Sequence, residues 1–298
     1  MSRGTLMSLL HRLGDSREVW QARKELTSIG RGVVPELLAI RRDGPGGLRR
    51  PALHALAVLG AGDELTAGDR AALERLVRIK LLDDRPFDEL WPTAWLAVPA
   101  ATYEGIFPAL GLHDRIPATI AMGMSAMEHY RAELPGPGDE ALTAYRVFIT
   151  PEFSGWRMVF GRPVQDCLPP GGGDLRLLKR VSEHCGQAHY YEHDGYDDAH
   201  FWAIAEDGRV IRSHGTYLEP AWTGEPLPWE EPQTNDPLWE PGMYEPNASC
   251  AWNANEVAHQ VTVDPERIDE DTPMNGHGWL AVTVPGAGHG MFPGALSI

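Results

Sequence analysis

The apolar residues of this chain change their spacing at one place, and that change narrows the fold more than any other feature. Up to "LPGPGDE" (Leu134–Glu140) they recur every three or four positions. "AGDRAALERLVRIKLL" does so with an acidic start and a basic end, which suits the helix macrodipole. Beyond that segment, runs such as "AYRVFITPEF", "GWRMVFGRPV" and "AHFWAIAE" are short, aromatic and β-branched, with turn residues between them. The pattern predicts an α+β chain, with a helical domain over residues 1–140 and an acidic, mainly antiparallel sheet domain with one or two helices over residues 141–298.

Local signals add detail. "IPATIAMGMSAMEHYRAEL" predicts a helix opened by Pro117, whose Met122, Met124 and Met127 suit either a core or a pliable binding face. "GDLRLLKRVSEHCG" predicts a helix with Asp174 as N-cap and Gly186 just past its end. "SG" between two strand-like runs marks a hairpin, and Asp207-Gly208 marks another, the last turn of a three-stranded meander. "EVAHQVTVDP" fits a short helix or a strand, and "GWLAVTVPG" a final buried strand.

The helical part contains a repeat. "VWQARKELTSIG" (Val19–Gly30) set above "RRPALHALAVLG" (Arg49–Gly60) matches Ala22 with Ala52, Leu26 with Leu56, Ile29 with Leu59 and Gly30 with Gly60. Between them "VVPELLAIRRD" supplies a second helix with Pro35 in its first turn, and "GPGG" breaks the chain before the next unit. Residues 15–85 resemble the HEAT-like helical repeats in this, which implies paired helices stacked side by side. Unrelated amphipathic helices sharing alanine and leucine are the alternative.

Charge is distributed unevenly. Residues 1–140 carry 17 basic and 19 acidic side chains, residues 141–298 carry 9 and 23, and the net charge is −16. Within residues 181–271 only Arg209, Arg212 and Arg267 stand against 20 carboxylates. Such a field repels nucleic acid and anionic lipid and attracts cations or a basic protein. No run of 18 apolar residues predicts a membrane span, and the first residues resemble an amphipathic helix rather than a signal peptide. Cys167, Cys185 and Cys250 are too scattered for a disulfide framework, so the expectation is a cytoplasmic protein with free thiols.

"HYYEHDGYDDAHFWAIAEDGRVIRSHG" (His189–Gly215) is the densest cluster of chemistry. Alternation places His189, Tyr191 and His193 on one strand face, and with His200 from the next strand they form a candidate set of zinc or iron ligands. The competing reading is a solvated acidic face that carries no cofactor. Other templates fail: "GGGD" lacks the Lys-Ser/Thr of a phosphate loop, and no nucleophile elbow occurs. "GAGHGMFPG" (Gly286–Gly294) has the glycines of a dinucleotide loop without the following helix. No catalytic residue is assigned.

Tryptophan is concentrated in the proline-rich stretch from Glu219 to Trp252. These rings either plug the loop onto the sheet or serve as aromatic anchors in an acidic rim. Taken as a binding surface, the candidate residues are Trp222, Trp229, Glu230, Glu231, Trp239 and Glu240. "TPEFSGWRMVFGR", "HFWAIAEDGRVIRSHG" and "GHGWLAVTVPG" resemble uncharacterised actinobacterial proteins of immunity type. That resemblance implies a non-enzymatic module that captures a basic toxin. The alternatives are a metal-dependent enzyme using the histidines and a resistance or tailoring protein holding a small molecule between the two domains.

Overall fold

The computed structural model describes residues 3–13, 18–86, 92–128, 130–136, 141–165, 175–194, 199–216, 221–230, 253–290 and 292. The fold is mixed α+β, with helices and antiparallel sheet. Contacts divide the chain into two compact units that interleave in sequence. One contains residues 1–85, 112–150 and 277–298, and the other residues 86–111 and 151–276.

The first unit begins with five helices: α1 (Arg3–Leu13), α2 (Val19–Ile29), α3 (Val34–Asp43), α4 (Gly46–Val58) and α5 (Ala67–Lys80). Helix α4 packs against α1, α2 and α3. Its Ala52 and Leu56 are wholly buried, as are Ala22 and Leu26 of α2, thirty residues earlier. The third matched pair diverges, since Ile29 is 38% exposed where Leu59 is 6%. Helix α4 ends in a double-bonded turn, with Gly60 N–H on the Ala57 carbonyl and Ala61 N–H on that of Leu56. This geometry needs the left-handed φ of 64° that glycine supplies. Thr66 caps α5 by accepting the Asp69 N–H at 3.1 Å.

The same unit adds β2 (His113–Ala118), α7 (Ile120–Glu128), β3 (Arg131–Pro135), β4 (Ala141–Ile149) and β12 (Gly278–Val282). Its strands run antiparallel in the order β3-β4-β12-β2, and α7 packs against β2, β4 and β12. The helical domain expected over residues 1–140 is therefore interrupted by strands. Pro117 lies near the end of β2, not at a helix start. The runs that form β2 and β3, HDRIPA and RAELP, each carry a proline and no succession of β-branched or aromatic residues, so neither announces a strand.

The second unit comprises β1 (Ala94–Pro99), α6 (Ile106–Leu110), β5 (Glu152–Phe153), β6 (Trp156–Gly161), α8 (Arg162–Gln165), α9 (Arg176–Cys185), β7 (Gln187–Asp194), β8 (Ala199–Glu206), β9 (Arg209–Gly215), β10 (Ala221–Thr223), α10 (Ala254–Val261) and β11 (Met274–Asn275). An antiparallel sheet runs β10-β9-β8-β7-β1-β6, with β5 paired to β6 and β11 to β5. Both expected hairpins form with two-residue loops whose φ values are all positive: 50° and 86° at Ser154-Gly155, 43° and 79° at Asp207-Gly208. Helix α9 carries Leu178, Val181, Ser182 and Cys185 on its buried face and packs on β7, β8 and β9. The Ser182 hydroxyl accepts the Gly208 N–H at 2.9 Å, which pins the second hairpin to the helix. The stretch left open between helix and strand is α10, closed at its start by a reciprocal capping box of Asn253 and Glu256. Asp174, the expected cap of α9, lies outside the described residues. Among those residues no helix is long and apolar enough to cross a membrane.

Candidate functional site

The sequence predicts a solvated face for the histidines and acids of the His189–Gly215 meander, and the structure places the histidines His189, His200 and His214 in a core instead. Every residue from Ala199 to Ala205 is buried, as are Ala188 to Tyr191. Relative exposures of 2% for His189, 7% for His200 and 1% for His214 confirm that these rings sit inside. Helix α9 also packs on these strands, and α10 packs on β7 and β8. Strands sandwiched in this way read as continuous apolar runs, not as an alternation of wet and dry positions.

The strand registers line up one row of rings across five strands. Trp95 of β1 pairs with Tyr191 of β7, Tyr191 with Trp202 of β8, Trp202 with His214 of β9 and His214 with Trp222 of β10. Neighbours touch: ring centroids are 5.1 Å apart for Trp95–Tyr191, 6.3 Å for Trp202–His214 and 4.0 Å for His214–Trp222. Trp229, from the segment after β10, sits 6.0 Å from Trp202. At the inner end the row is polar and buried. The Thr262 hydroxyl donates to Tyr191 Oη at 3.0 Å, and Tyr191 Oη lies 2.9 Å from His189 Nδ1. Burial pushes His189 down to about 3 and raises the Tyr191 phenol above its usual range, so both are neutral near pH 7.

The outer end is held by an ion pair. Arg212 Nε donates to Glu230 Oε1 at 2.8 Å and Arg212 Nη2 to Glu230 Oε2 at 2.5 Å, with the side chains 2% and 3% exposed. A third bond runs from Arg212 Nη1 to the Gly224 carbonyl at 2.6 Å, and the Leu227 N–H donates to Glu230 Oε1 at 3.0 Å. The guanidinium lies 4.2 Å from the Trp222 ring, which therefore has Arg212 and His214 as neighbours and remains half-buried. Burial, with further contributions from His200 and Arg212, pushes His214 down to about 4. His189 and His214 are thus not tuned for proton transfer at neutral pH.

The predicted site residues fare unequally. Trp222 and Trp229 come together beside Trp202 and are half-buried. Glu230 is buried, and its charge is spent on Arg212 rather than presented at a rim. Glu231, Trp239 and Glu240 lie outside the described residues. Among the predicted metal ligands, His193 does pair with His200, but His189 is four residues further along β7 and pairs with Ile204. At ~3.4 Å per residue that is about 14 Å away, too far for one ion. Among the described residues no three His, Cys, Asp or Glu side chains gather closely enough to hold a metal. Cys185 is a free buried thiol pushed up to about 11 by burial, which leaves it unreactive.

Trp202, Arg212 and His214 are not among the candidate site residues the sequence singles out. Counting back from the Asp207-Gly208 loop puts Ser213 opposite Trp202, whereas a register shift between Ile204 and Ala205 puts His214 there. One extra residue in β9 therefore turns His214 and Arg212 onto the tryptophan face, and no residue type in the sequence announces it. No family model, no curated protein and no solved structure matches this chain.

Proposed function

We propose that this chain is a protein-binding module that captures a basic protein through a surface centred on Trp222 and Trp229, in the manner of an inhibitor or immunity protein. One observation carries the reading. Trp222 is only half-buried, yet its ring is held by Arg212 at 4.2 Å and His214 at 4.0 Å. A ring already fixed before contact gives up little entropy on binding, which is what an interface anchor requires. Charge supports the choice of partner: residues 181–271 carry 20 carboxylates against three arginines, and Arg212 is already matched by Glu230. The helices α2 to α5 are read with it as two HEAT-like units, on the buried Ala22/Ala52 and Leu26/Leu56 matches.

The test is a capture from lysate of the source organism on the full chain, run in parallel with Trp222→Ala, at low and high salt. The reading expects a basic protein that is retained at low salt, released at high salt and lost with Trp222→Ala, while the variant keeps a cooperative melt. Capture that ignores Trp222, or a partner that is not basic, would overturn it.

A further inference from the structure

The first unit contains a cavity of about 660 Å³, inside the ~300–1,000 Å³ range of small-molecule sites. Its walls come from three distant stretches: the turn at Gly62–Asp63 with the face of α5, strand β2 with Met122 of α7, and the loop Gly288–Gly290. That loop belongs to the glycine-rich "GAGHGMFPG" segment, which fits no dinucleotide motif.

Contacts among these stretches fix the cavity. Gly62 N–H donates to the Gly290 carbonyl at 3.0 Å, and a Cβ on Gly62 would lie 2.5 Å from Gly290 Cα, so only glycine permits this approach. Asp114 of β2 accepts the Gly288 N–H at 3.0 Å on its carboxylate and a 2.7 Å bond from His289 Nε2 on its carbonyl. Burial pushes His289 down to about 4, so the ring adds no charge near neutral pH.

The lining divides into two chemistries. Leu73, Val77, Ile116, Pro117 and Met122 form an apolar wall. Arg70 and Arg78, two α-helical turns apart on the same face of α5, and Arg115 of β2 add three guanidinium groups. Among the described residues neither the Arg70 nor the Arg78 guanidinium has an ion-pair or hydrogen-bond partner. Of the acids lining the cavity, Asp114 is engaged by Gly288, which leaves Asp63 and Glu74. Three arginines against three carboxylates make the lining formally neutral, where the chain as a whole holds 42 acidic and 26 basic residues.

We infer that this cavity binds a small organic anion with an apolar body, its acid group on the α5 and β2 arginines and its body against the Leu73–Val77 wall. Guanidinium forks match carboxylate, sulfonate and phosphate oxygens, and a desolvated apolar wall selects against inorganic ions. The site is independent of the Trp222 surface and stands or falls separately from it.

The test uses two dyes on the full-length protein at neutral pH: 8-anilinonaphthalene-1-sulfonate, and neutral N-phenyl-1-naphthylamine, which has the same rings without the sulfonate. The sulfonate is expected to bind saturably at one site. Arg70→Glu and Arg78→Glu should each weaken it roughly tenfold, as losing a charged hydrogen-bond partner does. Glu74→Gln should tighten it, and neither Arg75→Glu, on α5 outside the cavity, nor Trp222→Ala should change it. The neutral dye should be indifferent to all the charge variants. Multiple-site binding, equal loss with Arg75→Glu, loss with Trp222→Ala, or a sulfonate affinity untouched by Arg70→Glu and Arg78→Glu would each overturn the assignment.

Discussion

Arg212 and Glu230 meet through two parallel hydrogen bonds of 2.8 and 2.5 Å, with both side chains almost fully removed from solvent. This contact fastens the segment after β10 to the sheet. Removing one partner leaves the other charged and buried, which costs about 3–5 kcal/mol, whereas replacing both with apolar residues of similar size is close to neutral. Glu230→Ala should therefore lose about 3–5 kcal/mol in urea unfolding, and Arg212→Met with Glu230→Met together much less. A double variant as unstable as the single one would mean that the pair's hydrogen bonds to Gly224 and Leu227, rather than its charge balance, hold the segment.

The ring row predicts a gradient of cost along one line of residues. Trp202 is 1% exposed and touches His214, Trp222 and Trp229, so Trp202→Ala should cost about 3–5 kcal/mol. Half-buried Trp222 should cost only about 1–2 kcal/mol when cut to alanine, since less of its area leaves water on folding. Equilibrium denaturation of the two variants reads the difference directly. Equal costs would make Trp222 a core residue and remove the basis for treating it as an anchor.

Buried His189, His214 and His289, with half-buried His54, set the response to acid. His54, His214 and His289 are pushed down to about 4 and His189 to about 3, in each case chiefly by burial. In the unfolded chain each takes up a proton as pH falls through ~6.5. Between that value and about 4 the unfolded state binds more protons, so stability falls with falling pH, by up to ~1.4 kcal/mol per pH unit for each ring. Asp84, raised to about 6 by burial, and Asp264, also raised, act the other way, since their contribution is present at low pH and lost as pH rises. Four rings outweigh two carboxyls. The melting temperature should decline from pH 7 to pH 5, and His214→Phe should flatten the decline; a melting temperature that rises over this range would contradict the assignment.

The parts of the fold that are legible in the sequence are those fixed by local chemistry. Ser154-Gly155 and Asp207-Gly208 specify their hairpins because two-residue loops of this twist need positive φ at both positions. Thr66 and Asp69 mark the start of α5 for a similarly local reason. The strands β2 and β3 are hidden because HDRIPA and RAELP each carry a proline and no succession of β-branched or aromatic residues, and the interleaving of the two units depends on long-range pairings such as Trp279 with Ile149. The site is legible only by half. Trp222 and Trp229 stand out by composition, but their setting depends on the shifted register in β9 and on Arg212 reaching Glu230 across 18 residues. The charge of Glu230, prominent in the sequence, is consumed inside the protein.

Two glycines with nearly the same backbone conformation should respond very differently to alanine. Gly208 and Gly224 have φ of 79° and 80°, so each substitution carries the cost of a left-handed L-residue, about 1 kcal/mol. At Gly208 the new Cβ would lie 2.7 Å from Glu183 Cγ, the stem of a flexible side chain that can move aside. At Gly224 it would lie 1.9 Å from the Ile211 carbonyl oxygen, which is backbone and cannot yield without displacing β9 or β10. The Gly224 carbonyl also accepts from Arg212, so moving it loosens the ion pair and the guanidinium that lies against the Trp222 ring. Gly208→Ala should cost about 1–2 kcal/mol and leave tryptophan emission unchanged, while Gly224→Ala should cost at least about 3 kcal/mol and red-shift the emission as Trp222 and Trp229 gain water. If Gly224→Ala proves as mild as Gly208→Ala, β10 does not lie against Ile211, and the rigid support proposed for the Trp222 anchor is lost with it.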